Sequence, residues 1–195
     1  RDGDVYVING QKTFISNGYM ADLVCVVVKT DPAAGAKGTS LLVVETPGLE
    51  GYRRGRILDK IGMKGQDTAE LFFDDVRVPA ENLLGGVEGR GMQQVLSGLE
   101  TGRINVAARA LGIAQASYDA ALTYSREREA FGQPISEFQA IQLKLADMAT
   151  KIQAARLLIY WAAAGADKGE RVDMQAGMAK LFASEMAEEI CSDAI

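Results

Sequence analysis

Apolar and polar residues alternate with a period near two over the first part of the chain and near three and a half over the remainder, a pattern that predicts strands followed by helices. Val5-Tyr6-Val7-Ile8 runs into Asn9-Gly10, and Thr13-Phe14-Ile15-Ser16 runs into Asn17-Gly18. Both Asn-Gly pairs suit tight hairpin turns, because Asn and Gly tolerate positive φ, so antiparallel pairing is expected. Residues 23–28, 40–44 and 70–73 read as three more strands, joined by Asp31-Pro32-Ala33-Ala34-Gly35 and Pro47-Gly48-Leu49-Glu50-Gly51. No helical pattern separates these strands, so the connections are too short for a parallel sheet or a dinucleotide-binding βαβ unit. The glycine-rich stretch at residues 85–91 follows a proline-containing loop and is expected to admit the next helix.

Beyond that junction Ile104, Ala108, Leu111, Gln115, Tyr118 and Leu122 fall on one predicted helical face. Ile141, Leu145, Met148, Ile152, Ala155 and Ile159 fall on a second, stepping alternately by four and three as bundle helices do. Phe131-Gly132-Gln133-Pro134 should end one helix and permit the next, and Asp173 is a candidate N-cap for a third. The expected architecture is therefore α+β: an antiparallel β-domain over residues 1–86, then an up-down helical bundle over residues 87–195. Three long helices with apolar stripes call for a fourth helix or a partner. Arg1 at the start and an uncapped helical pattern at the end read as a chain truncated at both ends.

Composition narrows the chemistry. The 195 residues are 48% hydrophobic and carry a formal charge of −5, with 21 Lys and Arg against 26 Asp and Glu, which leaves no electrostatic footprint for nucleic acid. The apolar runs are far shorter than the roughly 20 residues that span a bilayer, so no membrane segment is expected. Histidine is absent, which removes Ser-His and Cys-His nucleophilic machinery and most catalytic zinc sites, and no metal ligand set is proposed. Cys25 and Cys191 lie apart in a strand-like and a helix-like run and read as buried thiols.

Spacing alone gives ordinary readings of the candidate site residues. Glu100 and Arg103, three apart, would form a surface ion pair. Arg126 and Arg128 would complement the carbonyls at a helix end. Phe14 and Ser16 would share one face of a strand, an arrangement that can flank a flat heterocycle but usually just packs.

The order of three segments adds more. Asn9-Gly10-Gln11-Lys12-Thr13-Phe14-Ile15-Ser16-Asn17-Gly18 comes first. Gly65-Gln66-Asp67-Thr68-Ala69-Glu70-Leu71-Phe72-Phe73-Asp74-Asp75-Val76-Arg77-Val78-Pro79 comes second. Arg126-Glu127-Arg128-Glu129-Ala130-Phe131-Gly132-Gln133-Pro134-Ile135 follows, with Phe138-Gln139 and Leu145-Ala146-Asp147-Met148 beyond it. In this order they closely resemble the acyl-CoA dehydrogenase family over essentially the whole chain, and the segment from Ile61 to Leu71 leans toward its long-chain branch.

The resemblance implies FAD as cofactor. Phe14, Ile15 and Ser16 would stack on and hydrogen-bond the flavin, with Phe and Ser where Trp and Thr are usual. Arg128 and Phe131 would reach the FAD of a neighbouring subunit in a homodimer or homotetramer, and Gln139 would contact FAD. Phe138 and Ala130 replace a histidine and a threonine found in some members. Glu100 and Arg103 would line the acyl-CoA site. The implied reaction is α,β-desaturation of an acyl-CoA thioester to a trans-2-enoyl-CoA, with electron-transfer flavoprotein as acceptor. The catalytic base is expected beyond Ile195, because Gly102 stands where some branches carry Glu, so this chain alone should have little activity. An acyl-CoA oxidase, a flavin monooxygenase or a non-catalytic scaffold of the same fold are the alternatives. The expected location is the cytoplasm, or the mitochondrial matrix in a eukaryote.

Overall fold

A computed structural model describes residues 1–195, which divide into two compact units, Arg1–Val95 and Leu96–Ile195. The first unit contains β1 (Val5–Ser16), β2 (Leu23–Lys29), β3 (Thr39–Glu45), β4 (Tyr52–Ile57) and β5 (Thr68–Pro79). They form one sheet in the order β1-β5-β4 and a second from β2 and β3, with every pairing antiparallel. A short 3-10 segment, Pro32–Gly38, joins β2 to β3. Tyr6, Ile8, Val26, Leu42, Val44, Leu71, Phe73, Val76 and Val78 are buried together as the core of this unit.

The Asn9-Gly10 pair is not a hairpin turn. It lies inside β1, which is one strand of 12 residues, and it marks a β-bulge where the register with β5 shifts between Ile8 and Gly10. Opposite it, Asp75 adopts φ 50°, and the inward positions of β5 change parity from Leu71 and Phe73 to Val76 and Val78. Asn9 clamps this irregularity: its Nδ2 donates to Asp75 Oδ1 at 2.8 Å and its Oδ1 accepts from the Asp75 backbone N–H at 2.8 Å. Asn17-Gly18 does turn the chain, with Asn17 at φ 60°, but it leads from one sheet to the other and closes no hairpin. The strand β4 was not anticipated, since Arg53, Arg54 and Arg56 hide its period. As an edge strand it needs only Tyr52 packed on Phe73, at 5.4 Å between ring centroids, and Arg53 lying 4.1 Å above the Phe72 ring.

The helix α1 (Gly91–Glu127) begins where the glycine-rich stretch predicts. A Cβ on Gly91 would stand 2.6 Å from the Ser40 backbone, so the chain can approach β3 this closely only without a side chain. The second unit contains α1 from Leu96 onward, a minimal hairpin of β6 (Glu129–Ala130) and β7 (Gln133–Pro134), and helices α2 (Gln139–Asp167) and α3 (Asp173–Asp193). Its core joins Met148, Ile152, Ala155, Ile159 and Ala162 of α2 to Ala179, Ala183, Met186, Ala187 and Ile190 of α3, as the α2 periodicity predicts. On α1 the inward positions are Ile104, Ala107, Leu111, Ala114, Tyr118 and Ala121, whereas Ala108 is exposed and Gln115 and Leu122 are only half-buried. The face is rotated by about one residue because small alanines carry the close contacts. Val172, not Asp173, occupies the α3 cap position, while Asp173 is the first helical residue and binds the Arg171 guanidinium at 3.1 and 2.9 Å. Cys25 is exposed and Cys191 half-buried, the latter 3.3 Å from Ser117 Oγ, so neither is the fully buried thiol expected from its apolar neighbours.

Candidate functional site

The end of β1 carries the first group of site residues. Its register with β5 shifts between Lys12, opposite Leu71, and Ile15, opposite Ala69, so that β1 has one residue more than its partner over this interval. Phe14 lies in this second bulge at φ 61°, a left-handed conformation that costs roughly 1–2 kcal/mol for a residue with a Cβ. Its ring is 76% exposed. Ile15 packs against the core of the first unit, and Ser16 returns to register opposite Thr68 with its side chain exposed. The Ser16 hydroxyl has no hydrogen-bond partner within the chain. Strand alternation alone would have put the Phe14 ring and the Ser16 hydroxyl outward; the bulge achieves the same result through a strained backbone, with Ile15 as the inward anchor.

The turn after Ser16 is fastened by one residue. Asp67 accepts the Asn17 N–H through its backbone carbonyl at 2.9 Å and the Tyr19 N–H through its carboxylate at 2.8 Å. Beside this turn is an open cavity of about 860 Å3, lined by Asn17, Tyr19, Met20, Ile57, Leu58 and Asp67, among others.

The second group surrounds the hairpin between α1 and α2. The Arg128 N–H still donates to Tyr124 O at 2.8 Å as the last turn of α1, and its carbonyl accepts from Ile135 N at 2.8 Å, closing the hairpin. Phe131 and Gly132, at φ 55° and 84°, form its two-residue loop, and positive φ at both positions is the signature of a type I′ turn. Asn-Gly is the usual pair there, so Phe131 is held in this loop under strain, 98% exposed, with one edge-on contact to Phe138 at 6.2 Å. Phe138 fills the cap position of α2 and offers no side-chain acceptor. Gln139 is the first residue of α2, at the positive end of the helix dipole, and it is exposed, as is Arg128. Neither the Arg128 guanidinium nor the Gln139 amide has a side-chain partner within the chain.

Glu100 and Arg103 lie on α1, but the ion pair expected from their spacing does not form. Glu100 instead acts on Arg171 in the α2–α3 connection. The pKa of Arg171 is raised first by its hydrogen bonds to Asp173 and also by the charge of Glu100. Arg171 was not among the sequence candidates, because nothing in local spacing relates it to a residue 71 positions earlier. No helix is long and apolar enough to cross a membrane.

Comparison with known proteins also separates a β-rich from a helical part of the chain. Residues 1–76 match the acyl-CoA dehydrogenase middle domain and residues 89–195 the acyl-CoA dehydrogenase C-terminal domain. Cyclohex-1-ene-1-carbonyl-CoA dehydrogenase of Syntrophus aciditrophicus is 47% identical over the whole chain, which covers 47% of that protein. The butyryl-CoA dehydrogenase structure from Megasphaera elsdenii superposes with a TM-score of 0.95 at 42% identity, covering all of this chain and 50% of that one. A structure described as the electron transferring flavoprotein of Acidaminococcus fermentans contains a chain that superposes equally well, with a TM-score of 0.95 at 49% identity, again over all of this chain and 50% of that one. The chain thus spans about half the length of the relatives it matches. None of the three names a long-chain enzyme, and the leaning toward the long-chain branch has no support from them.

Proposed function

The chain belongs to the acyl-CoA dehydrogenase family, and from that premise we propose that the whole protein is an FAD-dependent oxidoreductase that desaturates an acyl-CoA thioester between its α and β carbons. One observation carries the reading. Of the residues that the family resemblance assigns to FAD, all but the inward-packed Ile15 are turned outward, two of them at some cost in backbone strain: Phe14 and Phe131 are exposed at positive φ, and the Ser16 hydroxyl, Arg128 guanidinium and Gln139 amide have no side-chain hydrogen bond within the chain. Strained, unpartnered groups of this kind are characteristic of binding sites.

These residues fit the cofactor chemically. An aromatic ring suits the face of a flat heterocycle, the Ser16 hydroxyl can donate or accept at its rim, and a planar guanidinium matches a pyrophosphate bidentately. When bound, FAD supplies an acceptor for the hydride leaving the β carbon. Phe14 and Ser16 orient the ring system, while Arg128, Phe131 and Gln139 hold a second part of a cofactor, in our proposal that of a neighbouring subunit in a homodimer or homotetramer. Glu100 and Arg103 contact the acyl-CoA. Gly102 has no side chain to take the α proton, so the base is assigned outside Arg1–Ile195. The likeness to a chain from the Acidaminococcus electron-transferring flavoprotein structure supports a soluble flavoprotein of that type as the electron acceptor. Acyl groups of the fatty or branched kind are the proposed substrates.

An anaerobic visible spectrum of the full-length protein, taken before and after adding acyl-CoA thioesters of graded length and branching, tests this. The expected outcome is an oxidised-flavin band that bleaches with one class of acyl group. A protein that shows no flavin band even after incubation with FAD would overturn the reading, and rapid peroxide formation on admitting air would reassign it as an oxidase.

A further inference from the structure

β1 changes its inward face along its length. Tyr6 and Ile8 are buried near its start, and Ile15 packs on the same core near its end. Taken from Ile15, strand alternation turns Phe14 and Ser16 outward, but continued unbroken from Ile8 it would turn them inward. The difference is the one residue that β1 gains between Lys12, opposite Leu71, and Ile15, opposite Ala69. Without that gain the ladder would run on with Phe14 opposite Ala69 and Ile15 opposite Thr68. Directly opposite residues share a face, so Phe14 would enter the core beside the fully buried Ala69 and Ile15 would turn to solvent. That unbulged register would also free Phe14 from its left-handed backbone.

What holds β1 away from it lies just past the strand. The Asp67 carbonyl accepts from the Asn17 N–H at 2.9 Å, and the Asp67 carboxylate accepts from the Tyr19 N–H at 2.8 Å. Between these two, the Gly18 N–H donates to Ile15 O at 3.1 Å. Gly18 is seated so closely that a Cβ there would stand 3.0 Å from the Ile15 side chain, so the turn and Ile15 move as one piece. Asp67 ties that piece to the start of β5, whose first residue is Thr68. Slipping by one residue carries the turn about 3.4 Å along β5, farther than a hydrogen bond stretches, and breaks both bonds. Every residue has a carbonyl; the carboxylate bond to Tyr19 is what Asp67 in particular supplies.

We propose that Asp67 is a positioning residue for the flavin face: by holding the Tyr19 N–H, its carboxylate keeps β1 in the bulged register and keeps Phe14 and Ser16 turned outward. Asp67 acts through the backbone of the turn and needs no contact with the cofactor. The inference rests on the assignment of Phe14 and Ser16 to FAD.

Asp67→Ala and Asp67→Asn in the full-length protein test it, because only the asparagine retains an oxygen that can accept from Tyr19. In Asp67→Ala the Tyr19 amide of the flavin-free protein should exchange about tenfold faster than in the parent, and FAD should bind about tenfold more weakly, as loss of one hydrogen bond to a charged group implies. Asp67→Asn should return both quantities to within about threefold of the parent. An asparagine variant as impaired as the alanine one would overturn the proposal, and so would weakened FAD binding with Tyr19 exchange unchanged. Tyr19→Pro deletes the donor of the same bond and serves if the alanine variant does not fold; it should weaken FAD by a similar factor, and full affinity there counts against Asp67. Parent affinity for FAD in Asp67→Ala overturns this assignment alone, whereas a parent protein that binds no FAD overturns the functional reading and the assignment with it.

Discussion

Phe131 combines a bulky ring with a backbone conformation made for glycine, and that conflict separates its contribution to folding from its contribution to binding. Replacing it by glycine relieves roughly 1–2 kcal/mol of left-handed strain and gives up an edge contact worth about 0.5–1.5 kcal/mol. Phe131→Gly in the full-length protein should therefore melt within a few degrees of the parent while binding FAD several-fold more weakly, and unchanged FAD affinity in a titration would remove Phe131 from the site. Arg128→Ala should cost more, about tenfold or greater, because hydrogen bonds to a charged group contribute about 1.5–3 kcal/mol. Tyr6 makes a separate prediction about pH. Its phenol pKa is raised above the ordinary 10.0, first by burial and then by the hydrogen bond it donates to Glu88. A proton held more tightly in the folded than in the unfolded chain contributes stability that is fully present below about pH 10 and is lost as pH rises through the folded value. Tyr52 is shifted the same way by burial, so Tyr6→Phe should flatten the alkaline fall in denaturant midpoint without abolishing it. An alkaline limb identical to that of the parent would show that Tyr6 does not contribute.

At the level of elements, alanine determines how α2 and α3 pack. Ala155, Ala162, Ala176, Ala179 and Ala183 are all fully buried, and the two helices can approach closely only because these side chains are small. Ala179→Leu should therefore destabilise by about 1–3 kcal/mol through overpacking, and Ile190→Ala by about 2–5 kcal/mol through a cavity, both measurable by urea denaturation; a neutral Ala179→Leu would mean the seam is looser than drawn. The same alanines explain which elements could be read in advance. Met148, Ile152 and Ile159 mark the α2 stripe unmistakably, but α1 buries Ala107 and Ala114, which resemble its exposed Ala108 in every respect that sequence records. The polarity of β4 conceals an edge strand whose support comes from aromatic rings on β5. Asn9-Gly10 reads locally as a turn, but the left-handed backbone of this bulge belongs to Asp75, 66 residues away, and it is the Asn9 side chain bonding Asp75 that holds it. The proposed site residues follow from the order of three segments and not from spacing. The strain at Phe14 and Phe131 was not legible, because nothing local to a phenylalanine requires a left-handed backbone.

Across the whole molecule, β5 is the strand on which the first sheet depends, and its two partners reach it over very different lengths of chain. Pairing Ile57 with Ala69 closes a loop of 12 residues, whereas pairing Ser16 with Thr68 closes one of 52. The longer closure costs roughly 1.3 kcal/mol more in chain entropy, close to a tenfold difference in the equilibrium for first contact. Pulse-labelled hydrogen exchange during refolding should therefore show β4 and β5 amides protected before those of the second half of β1, and simultaneous protection would argue for a single concerted nucleus. During synthesis the interval is longer still. Phe14 leaves the ribosome more than fifty residues ahead of the strand that holds it in place, and at about 5–20 residues per second it waits several seconds for Thr68 to follow. The segment that shapes the proposed flavin face is thus made well before the strand that secures it, so a nascent chain has no use for the cofactor until β5 has emerged.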